Sequence, residues 1–107
     1  MPLIKIEFDN EKVIKDDIIS LSEAIQKIVS EITSIEDVFV YGNSAEIQYM
    51  IAPIEIFIEM SAHKINDRKE LVAKIKSKLL FWKQEVNFSH PINLTLIPMD
   101  WNIEIGI

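Results

Sequence analysis

A chain of 107 residues, 49% of them apolar, is long enough for one modest core but not for two. Its net charge of −6, with eleven scattered Lys and Arg, offers no basic face to a phosphate backbone, so nucleic acid is disfavoured as a partner. The absence of cysteine excludes a disulfide framework, a thiolate metal site and a cysteine nucleophile. No apolar run approaches the ~18 residues of a membrane span, so no membrane partner is expected, and a cytoplasmic location is.

Residues 3–8 alternate, with Ile4, Ile6 and Phe8 on one side and Leu3, Lys5 and Glu7 on the other, the period-two pattern of a strand. After a polar stretch, Ile18, Leu21, Ile25, Ile28, Val29 and Ile32 recur at the spacing of an amphipathic helix, with Asp16 or Asp17 placed to cap it. Residues 38–41 are β-branched and aromatic and predict a second strand, stopped by the turn signal Gly42-Asn43-Ser44. An antiparallel arm is predicted over 46–50, and Pro53 separates it from the strongly strand-like residues 54–59.

A second helix is predicted from Asn66 or Asp67 to about Gln84, because Asp67 and Glu70 match the capping-box spacing. Leu71, Val72, Ile75, Leu79 and Trp82 form its inward stripe. Ile92, Leu94 and Leu96 then alternate with Asn93, Thr95 and Ile97 in a fourth main strand ending at Pro98. A tail strand over 99–107 alternates again through Trp101, Ile103, Ile105 and Ile107. A bare apolar edge is an aggregation hazard, so this tail is expected to pair with a neighbouring subunit or with its own sheet.

The two halves repeat. An offset of about fifty residues carries Ile4, Ile6 and Phe8 onto Ile54, Ile56 and Ile58, and Leu21, Ile25 and Val29 onto Leu71, Ile75 and Leu79. The pattern predicts a single domain over 1–107 of the α/β (α+β) class. Two tandem βαβ units, at about 2–41 and 53–98, would form a four-stranded mixed sheet with two helices on one face. The other face would carry Leu3, Phe57 and Ile97 among Lys5, Glu7 and Glu55, which points to partial burial against other subunits.

Pro2 directly behind Met1, at the head of a strand with Ile4 and Ile6, together with the tandem units and the strand Pro53-Ile54-Glu55-Ile56, resembles the tautomerase superfamily. That superfamily includes macrophage migration inhibitory factor (MIF) and 4-oxalocrotonate tautomerase. As pattern the likeness spans nearly the whole chain, and it is greatest to a bacterial branch of about this length whose function is not established. The resemblance implies that Met1 is removed and that Pro2 becomes a secondary amine acting as catalytic general base. It would move a proton between carbon and oxygen of a small keto or enol compound, without a cofactor, in a pocket at the subunit boundary of a homotrimer. An apolar pocket lowers an amine's affinity for its proton, and the proline ring holds the nitrogen rigidly. The best-known members hold a substrate carboxylate with arginines near the first helix and on the second strand. Here the one arginine is Arg68, at the predicted start of the second helix. Lys5 and Arg68 are therefore the candidates for orienting an anionic group, with Lys12, Lys15 and Lys64 as other point charges.

Each of these residues has a plainer reading. A proline behind an initiator methionine can simply start a strand. Arg68, beside Lys69 and Glu70, reads as a solvated first-turn residue, although a helix N-terminus can hold an anion. His63 and His90 lack partners at metal-ligand spacing and read as loop histidines, so no metal site is predicted. Trp82 and Trp101 read as core or interface surface. Two rivals to an isomerase follow: a non-catalytic trimeric interaction module of the same fold, and a monomeric ferredoxin-like domain with a small-ligand or regulatory role. The residues alone leave open whether the chain is an enzyme.

Overall fold

The computed structural model describes all 107 residues, Met1–Ile107. The elements are β1 (Leu3–Phe8), α1 (Lys15–Thr33), β2 (Phe39–Asn43), β3 (Ile54–Ser61), a 3-10 turn (Ala62–Lys64), α2 (Arg68–Val86) and β4 (Asn93–Met99). The sheet order is β2-β1-β3-β4, with β1 parallel to β2, β3 parallel to β4, and β1 antiparallel to β3. Each half is thus a βαβ unit, and the two copies meet back to back at the β1–β3 seam. The ferredoxin-like alternative requires a split unit with another strand inserted between the parallel pair. Here the paired strands are direct neighbours, so that alternative is not formed.

The period-two pattern decides the packing. Ile4, Ile6, Ile54, Ile56 and Ile58 are fully buried under the helices, where they meet Leu21, Ile25 and Val29 of α1 and Ile75 and Leu79 of α2. Leu71 and Trp82 pack partly buried against this core, while Val72 borders a groove beside β4. The helix of the second unit starts as its sequence predicts: the Asp67 side chain accepts a hydrogen bond from the Glu70 backbone N–H at 3.1 Å.

Three expectations are corrected. Helix α1 begins at Lys15 with Ile14 as its N-cap and no side-chain cap, so Asp16 and Asp17 lie inside the first turn, where their charge still favours the positive end of the helix dipole. Strand β2 does not stop at Gly42 but runs through Gly42 and Asn43, which pair with Ile6 and Glu7. A Cβ at Gly42 would stand 3.0 Å from Ile18 Cγ2, so glycine there admits helix α1 rather than making a turn. The arm expected over 46–50 is absent, and Ile47, Tyr49 and Met50 are 90%, 92% and 93% exposed. Alternation alone cannot make a strand without a partner, and this chain offers none there. Residues 100–107 pair with nothing within the chain, which of the two expected pairings leaves the one with a neighbouring subunit.

Candidate active site

Pro2 precedes β1 on the same side as Ile4 and Ile6, and less than 2% of it is exposed. Its carbonyl accepts a hydrogen bond from the Phe39 N–H at 3.1 Å, which anchors the start of β2 to it. Continuing the β1–β3 register sets Pro2 across from Met60, itself buried, and Met1 across from Ser61. The proline therefore sits where three strand ends converge, β2 and β1 at their starts and β3 at its finish.

At the end of β3, one residue past Met60, lies a polar pair that the sequence reading missed. Ser61 is buried, and its Oγ is 2.7 Å from His63 Nδ1 in the turn after β3. The only signal was a serine and a histidine two residues apart at a strand end, which is too common to single out. Two residues apart, they meet because the 3-10 turn brings His63 back over the strand it follows.

The two anion candidates are not brought to Pro2 within one chain. Lys5 alternates to the open face of the sheet, where its Nζ is 3.2 Å from Glu59 Oε2. The Glu59 hydrogen bond, then its charge, and then Tyr41 raise the Lys5 pKa above its ordinary value of 10.5. A raised lysine pKa means that this contribution to folding is full below pH 10.5 and is lost as pH climbs through the folded-state value. Glu59→Gln is expected to bring the Lys5 titration down toward 10.5, as followed by NMR of its ε-methylene; an unmoved titration would remove Glu59 as the cause. Arg68, the exposed first residue of α2, lines a cleft against Leu94 and Leu96 of β4. Strand β3 lies between that edge and β1.

At the opposite end of the sheet, His90 Nε2 is 3.1 Å from Asp17 Oδ2, with the imidazole edge-on to Phe88 at 5.3 Å. Lys83 Nζ donates to the His90 carbonyl at 2.7 Å. Asp17, Phe88 and His90 border a cleft of about 450 Å³ between α1 and α2 that also carries Ser20, Glu23 and Trp82. The contact ties the lead-in of β4 to the first turn of α1 across 73 residues of sequence, a pairing no local pattern could reveal. No three His, Asp or Glu side chains converge in a way that could hold a metal ion. No helix is long and apolar enough to cross a membrane.

Two parallel βαβ units joined at an antiparallel seam form the fold that the chain shares with tautomerase-fold structures. No protein-family model and no curated protein matches the sequence, so the likeness is carried by structure. Malonate semialdehyde decarboxylase, solved in wild-type, mutant and inactivated forms, superposes with a TM-score of 0.71 at 12% identity, covering 98% of this chain and 92% of that one. A domain of unknown function (DUF1904) from Sebaldella termitidis gives 0.65 at 13% identity, covering 100% and 98%. A fused 4-OT asymmetric trimer gives 0.64 at 12% identity, covering 94% and 91%. These neighbours match in fold along essentially their whole length.

Proposed function

We propose that the chain is a cofactor-independent tautomerase in which removal of Met1 frees the Pro2 amine to act as general base on a small enolisable carbonyl compound. The observation that carries this reading is the burial of Pro2 at the head of β1 in a tautomerase fold. Burial penalises an ammonium relative to a neutral amine, which favours a nitrogen able to accept a proton. In the keto-to-enol direction the C–H bond α to the carbonyl breaks, its proton goes to the Pro2 nitrogen, and the carbonyl oxygen becomes an enolate that is then protonated. The reverse returns the proton to carbon. An oxygen-stabilising donor is required, and the Ser61–His63 pair, at the end of β3 across from Met1 in the strand register, is the candidate.

The active unit proposed is a homotrimer. Phe39 and Tyr41 on edge strand β2 and the bare side chains of Ile47, Tyr49 and Met50 are apolar surface that a neighbour would cover. A neighbour that is itself a 4-OT trimer supports the assembly, and an enzyme among the neighbours supports chemistry. Lys5 and Arg68 would reach a substrate at Pro2 only across a subunit boundary, and Lys5 is already matched to Glu59.

One observation favours the non-catalytic interaction module instead: none of the five principal clefts of the isolated chain is lined by Pro2. The two readings part on one experiment. Intact mass establishes whether the protein starts at Met1 or Pro2, and phenylpyruvate ketonisation is then followed for both forms. A rate above buffer only for the form starting at Pro2, rising with pH through a single titration and then level, supports the tautomerase. Equal rates for both forms would discard the amine and leave the module reading.

A further inference from the structure

The cleft of about 450 Å³ between α1 and α2 lies at the end of the sheet opposite Pro2 and takes no part in the chemistry proposed there. We propose that it is a second ligand site, for a small zwitterion with an apolar body, of the class of a free aromatic α-amino acid. Glu23 and Lys27 of α1 would hold the two charges, and Trp82 and Val86 of α2 the body. None of the residues assigned to subunit contact borders this cleft, so the site needs no particular oligomeric state.

The repeat supplies an internal control. The fifty-residue offset carries Asp17, Ser20 and Ala24 of α1 onto Asp67, Glu70 and Lys74 of α2. In the second copy all three serve the helix itself: Asp67 caps it, accepting from the Glu70 N–H, and Glu70 Oε1 is 2.9 Å from Lys74 Nζ. The corresponding cleft, about 400 Å³ at the Pro2 end, is thus bordered by an acid and a base that satisfy each other. In the first copy α1 has no side-chain cap, and Asp17 instead reaches His90 at the lead-in to β4. Ser20 and Ala24 put a short hydroxyl and a methyl where the counterpart has an ion pair.

The apolar wall is built before any ligand arrives. Asn87, in the left-handed region at φ 56°, ends α2. Phe88 then turns back into the core, and its N–H donates to the Lys83 carbonyl at 2.9 Å. Its ring lies 5.1 Å from Trp82 and 5.3 Å from His90, so the three rings form one continuous surface. His90 is held from both ends, by Asp17 at its ring and by Lys83 at its carbonyl. A wall fixed in this way loses little freedom on binding. The cleft volume falls in the lower part of the range of about 300–1,000 Å³ typical of small-molecule sites.

The charges select the ligand. Glu23 and Lys27 stand one turn apart on α1, the Glu-to-Lys step of four residues that pairs readily in a helix, as Glu70 and Lys74 do. Yet neither enters any of the chain's four ion pairs. A carboxylate and an ammonium about 6 Å apart along the helix axis are met by a molecule that carries the opposite pair on one carbon, its ammonium toward Glu23 and its carboxylate toward Lys27. A plain amine would bring its charge up to Lys27 unanswered, and a plain carboxylate would do the same at Glu23. Asp17, with His90 on one of its oxygens, adds a second acceptor on the Glu23 side.

Trp101→Phe leaves Trp82 as the only tryptophan, so its emission reports on the cleft in the full chain. L-Phenylalanine should shift that emission saturably with a Kd of about 1 mM or tighter, the scale for a ligand of its size. Phenylalaninamide, which keeps only the ammonium, and N-acetylphenylalanine, which keeps only the carboxylate, should each bind at least ~5-fold more weakly. Glu23→Gln and Lys27→Gln, both at exposed positions, should each weaken phenylalanine binding at least ~5-fold without disturbing the fold. Ala24→Leu, which fills the cleft, should weaken it at least ~10-fold, with near-UV circular dichroism confirming that the variant is folded. No saturable shift, equal binding of either single-charge analogue, or unchanged binding in both glutamine variants would each overturn the site. Phenylalanine seated near Pro2 instead would bind a folded Ala24→Leu variant undiminished, which overturns it too. An inactive protein that binds phenylalanine in the expected pattern would sink the tautomerase reading and leave this site standing.

Discussion

Pro2→Ala, in protein verified to begin at residue 2, is expected to ketonise phenylpyruvate at least ~100-fold more slowly than the parent, the scale on which a positioned general base contributes. Alanine still ends in an amine, so the loss would come from geometry: the ring fixes φ and keeps the nitrogen from swinging away from the substrate. A chain that keeps Met1 should fall further, to the buffer rate, because an amide nitrogen is not a base. Three rates in that order would identify the nitrogen itself as the catalytic atom. The control is stability. Pro2 is almost fully buried, so the alanine variant leaves a small void worth about 1 kcal/mol, too little to unfold a domain at 25 °C. A variant that melts normally and keeps its rate would dismiss Pro2.

Ile56→Ala should cost about 3–5 kcal/mol in urea unfolding. Ile56 is fully buried, faces Ile6 across the β1–β3 seam and has Leu94 on its other flank. With strands locked on both sides, neither neighbour can move into the space that three lost carbons leave. Small domains are stable by roughly 5–15 kcal/mol, so this one side chain would remove a large share. Lys78→Ala, at an exposed side chain of α2 outside every ion pair of the chain, should move the midpoint by no more than ~0.5 kcal/mol. Equal effects at the two positions would mean that the core is not where the sheet puts it.

The architecture was legible because its cause is local. Ile4 and Ile6, and again Ile54, Ile56 and Ile58, alternate so cleanly that strand, buried face and repeat follow from the same residues, and Asp67 with Glu70 marks a helix start within four positions. What stayed hidden depends on distant or external partners. Gly42 reads as a turn until Ile18 is seen 3.0 Å from where its Cβ would be. Ile47 and Tyr49 alternate like a strand, yet nothing in the chain pairs with them. Of the candidate site, the place of Pro2 at the head of β1 is legible in the sequence, whereas the contacts of Ser61 with His63 and Asp17 with His90 emerge only from three-dimensional proximity. Of the two candidates for orienting an anionic group, alternation places Lys5 on the open face and the helix start places Arg68 at the β4 edge, neither position being readable from charge alone.

The antiparallel seam has a further consequence for how the molecule opens. Each half keeps its first strand in the middle of the sheet, hydrogen-bonded to the first strand of the other half along Leu3↔Glu59 through Phe8↔Ile54. Neither half can melt while the other stays intact, because its departure would strip the partner's central strand of both its ladder and its apolar cover. The repeat therefore doubles the sequence without doubling the cooperative unit. Amide protons of β1 and β3 should exchange last and at a common rate set by global unfolding, while those of β2 and β4 leave earlier from the margins.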